Sequence, residues 1–215
     1  VLFTTLILLC FGSILFFIFE YNNTLKEHSL YGKIITSFFS AATPRTAGFN
    51  TIDYSLINIQ TSIIIILLMW IGASPSSTGG GIKTSTVAIA YLGIVSIIRR
   101  NSRLEIFKRE IKQETILRSL AIIFLSIIVI LVSFLLIITF EPEKEILGVF
   151  FETVSAFSTV GLSMGITSEL TIPSKIVIIF TMFIGRVSML TILISFFKKN
   201  SNPNYKYPSE NILIN

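Results

Sequence analysis

Cysteine, histidine and charge are what this sequence is short of. Its one cysteine, Cys10, lies inside an apolar run, which excludes a disulfide within the chain and a cysteine-based metal site. Its one histidine, His28, has no second imidazole or thiol to share a ligand with, and a lone exposed histidine reads as a loop residue. Charged residues make up 13% of the 215, against about 25% in ordinary soluble domains. No paired carboxylates stand within the apolar segments, and neither a metal-ligand cluster nor a Ser–His pair is present. The chain is therefore read as no enzyme, with no cofactor. Val1 opens directly on an apolar run with no basic stretch and no initiating Met, so the expectation is a truncated reading frame rather than a signal peptide.

What is abundant is apolar sequence: 52% of residues are hydrophobic and the mean hydropathy is +0.81. A membrane span needs about 20 mostly apolar residues, and 1–19, 116–140 and 175–197 qualify. A fourth run begins near Ile59, reaches Trp70, breaks over Gly72 to Gly81, and resumes from Thr86 to Ile98. Neither half can cross alone, so this is read as one span with a non-helical middle, which must line a cavity or pack against protein. The alternative is an aqueous loop between two short buried helices.

The net charge of +5 does not point to nucleic acid, because the basic residues flank apolar runs. The densest cluster is Arg99, Arg100, Arg103, Lys108, Arg109, Lys112 and Arg118, and Lys198, Lys199 and Lys206 follow the last span. Cytoplasmic loops carry such an excess, so both termini of this segment are expected in the cytoplasm and the loops near 20–33 and 141–145 outside.

The sequence also repeats. Shifted by 113 residues, Phe38 falls on Phe151, Thr46 on Thr159, Gly48 on Gly161, Met69 on Met182, Ile71 on Ile184 and Gly72 on Gly185. Each repeat reads span, short amphipathic segment, T-x-G, then second span. The short segments, 33–42 and 145–157, cannot cross; they can enter as half-helices and return extended. A dehydrating cation is a fitting partner for such backbone, since carbonyls can replace its water shell. Glycine accepts φ > 0 and lets successive carbonyls turn the same way, while half-helix C-termini offer negative dipole ends. A lone T-x-G is usually a loop turn; its repetition between spans argues otherwise.

The stretches TPRTAGFNT, GASPSSTGGGIKTST, FETVSAFSTVGLSMGIT and MFIGRVSMLT resemble the third and fourth pore repeats of Trk/Ktr/HKT potassium transporters, and the resemblance covers nearly all of the chain after Phe19. It implies an all-α membrane protein carrying two tandem span–pore helix–filter–span repeats of a pseudo-fourfold cation channel. The division would be 1–98 for the third-type repeat, 99–115 for a basic cytoplasmic loop, 116–197 for the fourth-type repeat and 198–215 for a cytoplasmic tail. The filter positions carry over to Thr46, Ala47, Gly48 and Phe49 and to Thr159, Val160, Gly161 and Leu162, with K+ held by backbone carbonyls and Na+ as an alternative ion. The family's intramembrane gating loop matches Gly72, Gly79, Gly80 and Gly81, and its arginine matches Arg186, expected to donate to the loop's carbonyls. Lys83 is either a cation acting on that gate or the residue that restarts the helix. GGGIKTST is not a phosphate loop, because Ile82 separates Gly81 from Lys83 and no strand precedes it.

Two repeats cannot surround an ion, so an upstream half of the same protein or a second chain is expected beside the lipid bilayer of the plasma membrane. The family implies a homodimer with a cytosolic nucleotide-binding regulatory ring, for which 99–118 is a docking surface or simply an orientation signal. The competing reading is a secondary transporter that binds a cation or small solute at the broken helix 72–81. Transporters of that class often carry inverted repeats, whereas these two run in the same direction. A non-conducting structural subunit is a further alternative.

Overall fold

A computed structural model describes residues 2–75, 77–99, 104–106 and 109–187. Seven α-helices run through them: α1 (Leu2–Glu20), α2 (Leu30–Ala42), α3 (Ile59–Trp70), α4 (Thr84–Ile98), α5 (Gln113–Phe140), α6 (Ile146–Ser158) and α7 (Ile172–Val187). The two longest, α1 and α5, are the two that are long and apolar enough to span a bilayer among the described residues. At 1.5 Å per residue they extend about 28 and about 42 Å. Leu2, Phe3, Leu6, Phe124 and Leu135 on them are exposed, as lipid-facing residues of a membrane helix are.

The helices lie near the segments read from the sequence, with shifted boundaries. The first span runs one residue further, to Glu20; α5 begins at Gln113, so the basic loop ends at Lys112; α4 resumes at Thr84; and the last span starts at Ile172. The loop is also not featureless. Strands β1 (Leu104–Ile106) and β2 (Arg109–Ile111) pair antiparallel with Leu104 opposite Ile111, a small departure from an all-helical chain. The remainder of the last span, the tail with Lys198, Lys199 and Lys206, and Arg100, Arg103 and Lys108 of the basic cluster lie outside the described residues.

The two repeats fold alike. A long helix (α1, α5) leads to a 13-residue helix (α2, α6), then to a left-handed turn, a short 3-10 segment (Tyr54–Leu56, Ile166–Glu169) and a second helix (α3, α7). The short helices have different starts. Ser29 caps α2, its hydroxyl accepting the Gly32 N–H, whereas Glu145 precedes α6 without a side-chain cap. Within each repeat the first helix packs on the short one, and across repeats α3 packs on α6 and α4 on α5. The main core, with Phe16, Ile65, Met69, Phe151, Val154 and Leu162, lies where α1, α3 and α6 meet.

One glutamate fastens each repeat. Glu20, at the end of α1 and fully buried, accepts from the Asn58 N–H (2.9 Å) and the Thr61 hydroxyl (2.6 Å) at the start of α3. Glu141, just past α5, accepts from the Thr171 N–H (2.6 Å) and the Ser174 hydroxyl (3.0 Å) at the start of α7. Asn58 and Thr171 are 113 residues apart, as are Thr61 and Ser174. Each carboxylate therefore satisfies the orphan N–H groups of a helix start and meets its positive dipole end.

The Thr171 N–H, followed by the neighbouring hydroxyls and Lys144, holds the Glu141 carboxyl below the ordinary glutamate value of 4.5. A depressed pKa contributes stability that is present above the unfolded value and lost as pH falls through the folded one. Melting of the detergent-solubilised protein should therefore show a larger drop between pH about 5 and about 3 for the wild type than for Glu141→Gln. Equal drops would mean that this carboxylate does not secure α7.

Candidate functional site

The two T-x-G segments hang from the C-terminal ends of α2 and α6. Among the described residues, two that are not glycine have positive φ: Thr46 (66°) and Thr159 (50°), the equivalent positions of the two repeats. Two residues later Gly48 (70°) and Gly161 (91°) are left-handed again. For a β-branched residue that conformation costs on the order of 1–3 kcal/mol, so the surroundings must impose it. They do so by the same device twice. The Thr43 hydroxyl donates to the Phe49 carbonyl (2.8 Å), and the Ser155 hydroxyl donates to the Leu162 carbonyl (2.6 Å). In each repeat a hydroxyl at the end of the short helix ties down the residue that follows the glycine.

The segments also touch. A Cβ on Gly48 would stand 2.2 Å from the Val160 carbonyl oxygen, so only glycine permits the approach, whereas nothing lies within 4 Å of a Cβ built on Gly161. Thr46, Ala47, Gly48 and Phe49 are thus brought beside Thr159, Val160, Gly161 and Leu162, with open space at one glycine. Beside them the repeats differ. Arg45 sends its guanidinium to the Thr5 carbonyl of α1 (3.0 Å). Its counterpart Ser158 is fully buried, faces Gly81 and has no partner for its hydroxyl among the described residues.

The glycine-rich run is non-helical, as the composition implied. The chain leaves α3 at Trp70 and returns beside itself at Ile82: Ile71 and Ile82 form a parallel bridge, the Ile82 N–H donates to Trp70 O (3.2 Å) and the Thr84 N–H to Ala73 O (3.3 Å). The loop closed by this neck lies against both threonines. A Cβ on Gly79 would be 2.7 Å from Thr46 Oγ1, and one on Gly80 would be 2.4 Å from Thr159 Oγ1. The Gly80 N–H donates to Thr159 Oγ1 (3.2 Å). Gly72 is required because Gly80 O lies 2.4 Å from its Cβ position, and Gly81 is left-handed at φ 71°.

Lys83 does both things considered for it. It is the N-cap of α4, and its ammonium donates to Gly79 O (2.5 Å) and Ser77 O (3.1 Å). The loop carbonyls expected to receive Arg186 receive Lys83 instead. Among the described residues Arg186 donates to none of them; it is exposed on α7 and repels Lys83. The lysine wins because it starts the helix that the loop feeds into, only four residues from Gly79.

Reasoning from sequence missed three carboxylates. Glu20 and Glu141 passed as loop charges, although each ends a long apolar run at the same place in its repeat. Glu152 passed unremarked, yet it is a lone charge in the apolar string FFETV, where an ionisable residue marks a site to examine.

The cation transport protein family of TrkH matches residues 1–207. The chain belongs to it. Ktr system potassium uptake protein D of Bacillus subtilis is 38% identical over 207 residues, which are 96% of this chain and 46% of that protein. Potassium/sodium uptake protein NtpJ of Enterococcus hirae is 38% identical over 98% of this chain and 48% of its own length. Ktr system potassium uptake protein B of Vibrio alginolyticus is 39% identical over 99% and 47%. The crystal structure of the potassium transporter TrkH from Vibrio parahaemolyticus superposes with a TM-score of 0.74 over 90% of this chain and 43% of that one, at 18% identity, a likeness of fold. The chain spans less than half the length of each of these relatives. The family is one of cation transport proteins and not of enzymes.

α7 comes close to α6 just before the second T-x-G segment. A Cβ on Gly185 would sit 1.8 Å from Phe157 O, inside the backbone of α6. Gly185→Ala should therefore sharply lower the yield of folded protein in size-exclusion chromatography. Gly165→Ala, left-handed but with nothing within 4 Å of its Cβ position, should cost only the strain of about 1 kcal/mol and keep the yield. Equal yields would remove the packing argument.

Proposed function

We propose that this chain contributes half of a potassium pathway in which the carbonyls of Thr46 to Phe49 and Thr159 to Leu162 replace the hydration shell of the ion. The observation that carries the reading is the coincidence of two left-handed T-x-G turns, built from equivalent residues, in contact through Gly48 and Val160 O. Alternation of left-handed and ordinary backbone turns successive carbonyls to one side, which is what a dehydrated cation needs. Two more such segments come from an upstream half of the same protein or from a second chain. The plasma membrane is the setting, with α2 and α6 entering from outside and the basic loop in the cytoplasm. Homodimerisation and a cytosolic nucleotide-binding ring remain part of the proposal, in keeping with the multi-component systems that the names of the Ktr relatives imply.

The loop 71–83 is the gate in this reading. The Gly80 N–H aims the positive end of its dipole at Thr159 Oγ1, an oxygen the ion would need. Loop and ion then compete for one hydroxyl, and closure is self-consistent without any further plug. Lys83 holds the closed shape through two charge-assisted hydrogen bonds, each worth about 1.5–3 kcal/mol, while Arg186 adds positive charge nearby. The same geometry disfavours a solute site in the broken helix, because the Ser77 and Gly79 carbonyls are already taken by the ammonium. Na+ remains the second candidate ion, given the potassium/sodium name of the Enterococcus relative.

The test is rubidium and potassium flux into liposomes containing the full-length gene product. Gly161→Asp should abolish flux in folded, inserted protein; undiminished flux would move the pathway elsewhere. In the same assay Lys83→Met, which removes both bonds, should raise basal flux by at least about 10-fold, the equivalent of the weaker estimate for a single charge-assisted hydrogen bond. An unchanged basal rate would end Lys83's part in the gate.

A further inference from the structure

We propose that Glu152 is a specificity-determining positioning residue: it clamps the stretch that leaves the second T-x-G segment, so that this segment keeps a width the first one does not enforce. The proposal rests on the filter reading above. Glu152 lies in the middle of α6 on a helix buried almost all round, and it is itself 6% exposed. A carboxylate in such a place is costly unless hydrogen bonds compensate, and among the described residues it forms no ion pair. Its donors are the Ser163 hydroxyl, the Met164 N–H (3.2 Å) and the Thr167 hydroxyl (2.8 Å). The Ser163 oxygen in turn accepts the Gly165 N–H (2.9 Å).

All three donors belong to the five residues that begin two positions after Gly161. One turn further along the same face of α6, Ser155 holds the Leu162 carbonyl. Residues 152 and 155 therefore grip 162–167 as a unit, which is needed because nothing packs within 4 Å of a Cβ on Gly161. The first repeat has no such clamp. The position equivalent to Glu152 is Phe39, and the stretch after Phe49 holds itself, with Asp53 accepting from Ser55 (2.6 and 2.9 Å) and Tyr54 leaning on Phe151 (6.1 Å between centroids). Phe49 is 69% exposed where Leu162 is 1% exposed. The negative charge of Glu152, unneutralised by any described cation, also lies behind the segment an ion would occupy.

The experiment is the K+/Na+ permeability ratio, from reversal potentials of the full-length protein in planar bilayers, for Glu152→Gln and Glu152→Ala. The glutamine keeps an acceptor but not the charge, and the alanine keeps neither. Folding is checked by size-exclusion chromatography. The ratio should fall by about tenfold in the alanine variant, the size of one lost charge-assisted hydrogen bond, and by less in the glutamine variant. If the alanine variant does not fold, a reduced ratio in the glutamine variant supports the proposal and an unchanged one overturns it. Lys144→Ala, which removes the exposed ion pair to Glu169 on the other side of the same stretch, should leave the ratio unaltered; a fall equal to that of Glu152→Ala would mean general loosening and overturn the clamp. Continued flux in Gly161→Asp would instead defeat the filter reading itself, whatever Glu152 does.

Discussion

Backbone that unwinds among apolar helices must find its hydrogen bonds inside the chain, because lipid supplies none. That constraint organises the whole molecule. Two helices stop short at Ala42 and Ser158, and a third is interrupted after Trp70, so three stretches of irregular backbone meet in one place. They are satisfied from within the chain: Thr43 and Ser155 hydroxyls reach the carbonyls beyond their own glycines, Lys83 reaches the carbonyls of its own loop, and a loop N–H reaches across to Thr159. Because the Gly80–Thr159 bond runs between segments, moving the loop changes what the Thr159 hydroxyl must do. The loop and the second T-x-G segment are thereby joined directly at Thr159 Oγ1.

Repetition supplies the frame and departures from it supply direction. The glutamate that ends each first helix, the left-handed threonine and glycine, and the hydroxyl brace occur in both halves. Three features break the pattern. Arg45 becomes Ser158, Phe39 becomes Glu152, and α7 runs unbroken through Gly185, the counterpart of Gly72, where α3 has already ended. Two identical repeats could not place a loop under only one side of a site. The small hydroxyl at Ser158, where the other repeat carries a guanidinium, leaves room for Gly81, whose Cβ position lies 3.2 Å from Ser158 Oγ.

Much of this was legible beforehand. Apolar runs longer than about 18 residues have few readings other than a span, and the 113-residue register located both T-x-G segments and the break between them. Helix ends were off by one to three residues, because propensity falls gradually where capping decides sharply: Ser29 stops α2's start with a hydroxyl that periodicity does not register. The hairpin at 104–111 went unforeseen, since three-residue strands leave almost no pattern. Arg186 was expected at the loop because the resemblance matched it to the family's arginine, and such a match says nothing about reach.

The sequence by itself determined that the chain is a membrane protein, that its elements repeat, and where its backbone is not helical. Those follow from composition and spacing, which are local or periodic properties. Only the tertiary structure decided which polar atoms meet: that Gly48 lies against Val160 and not against its own helix, that Gly80 donates to Thr159, that Lys83 takes the carbonyls, and that Glu152 turns toward residues 163–167. Contacts between residues dozens of positions apart depend on how helices cross. A crossing such as α6 with α7 is set by the absence of a side chain at Gly185, a fact visible in the sequence whose consequence appears only once the two helices are packed.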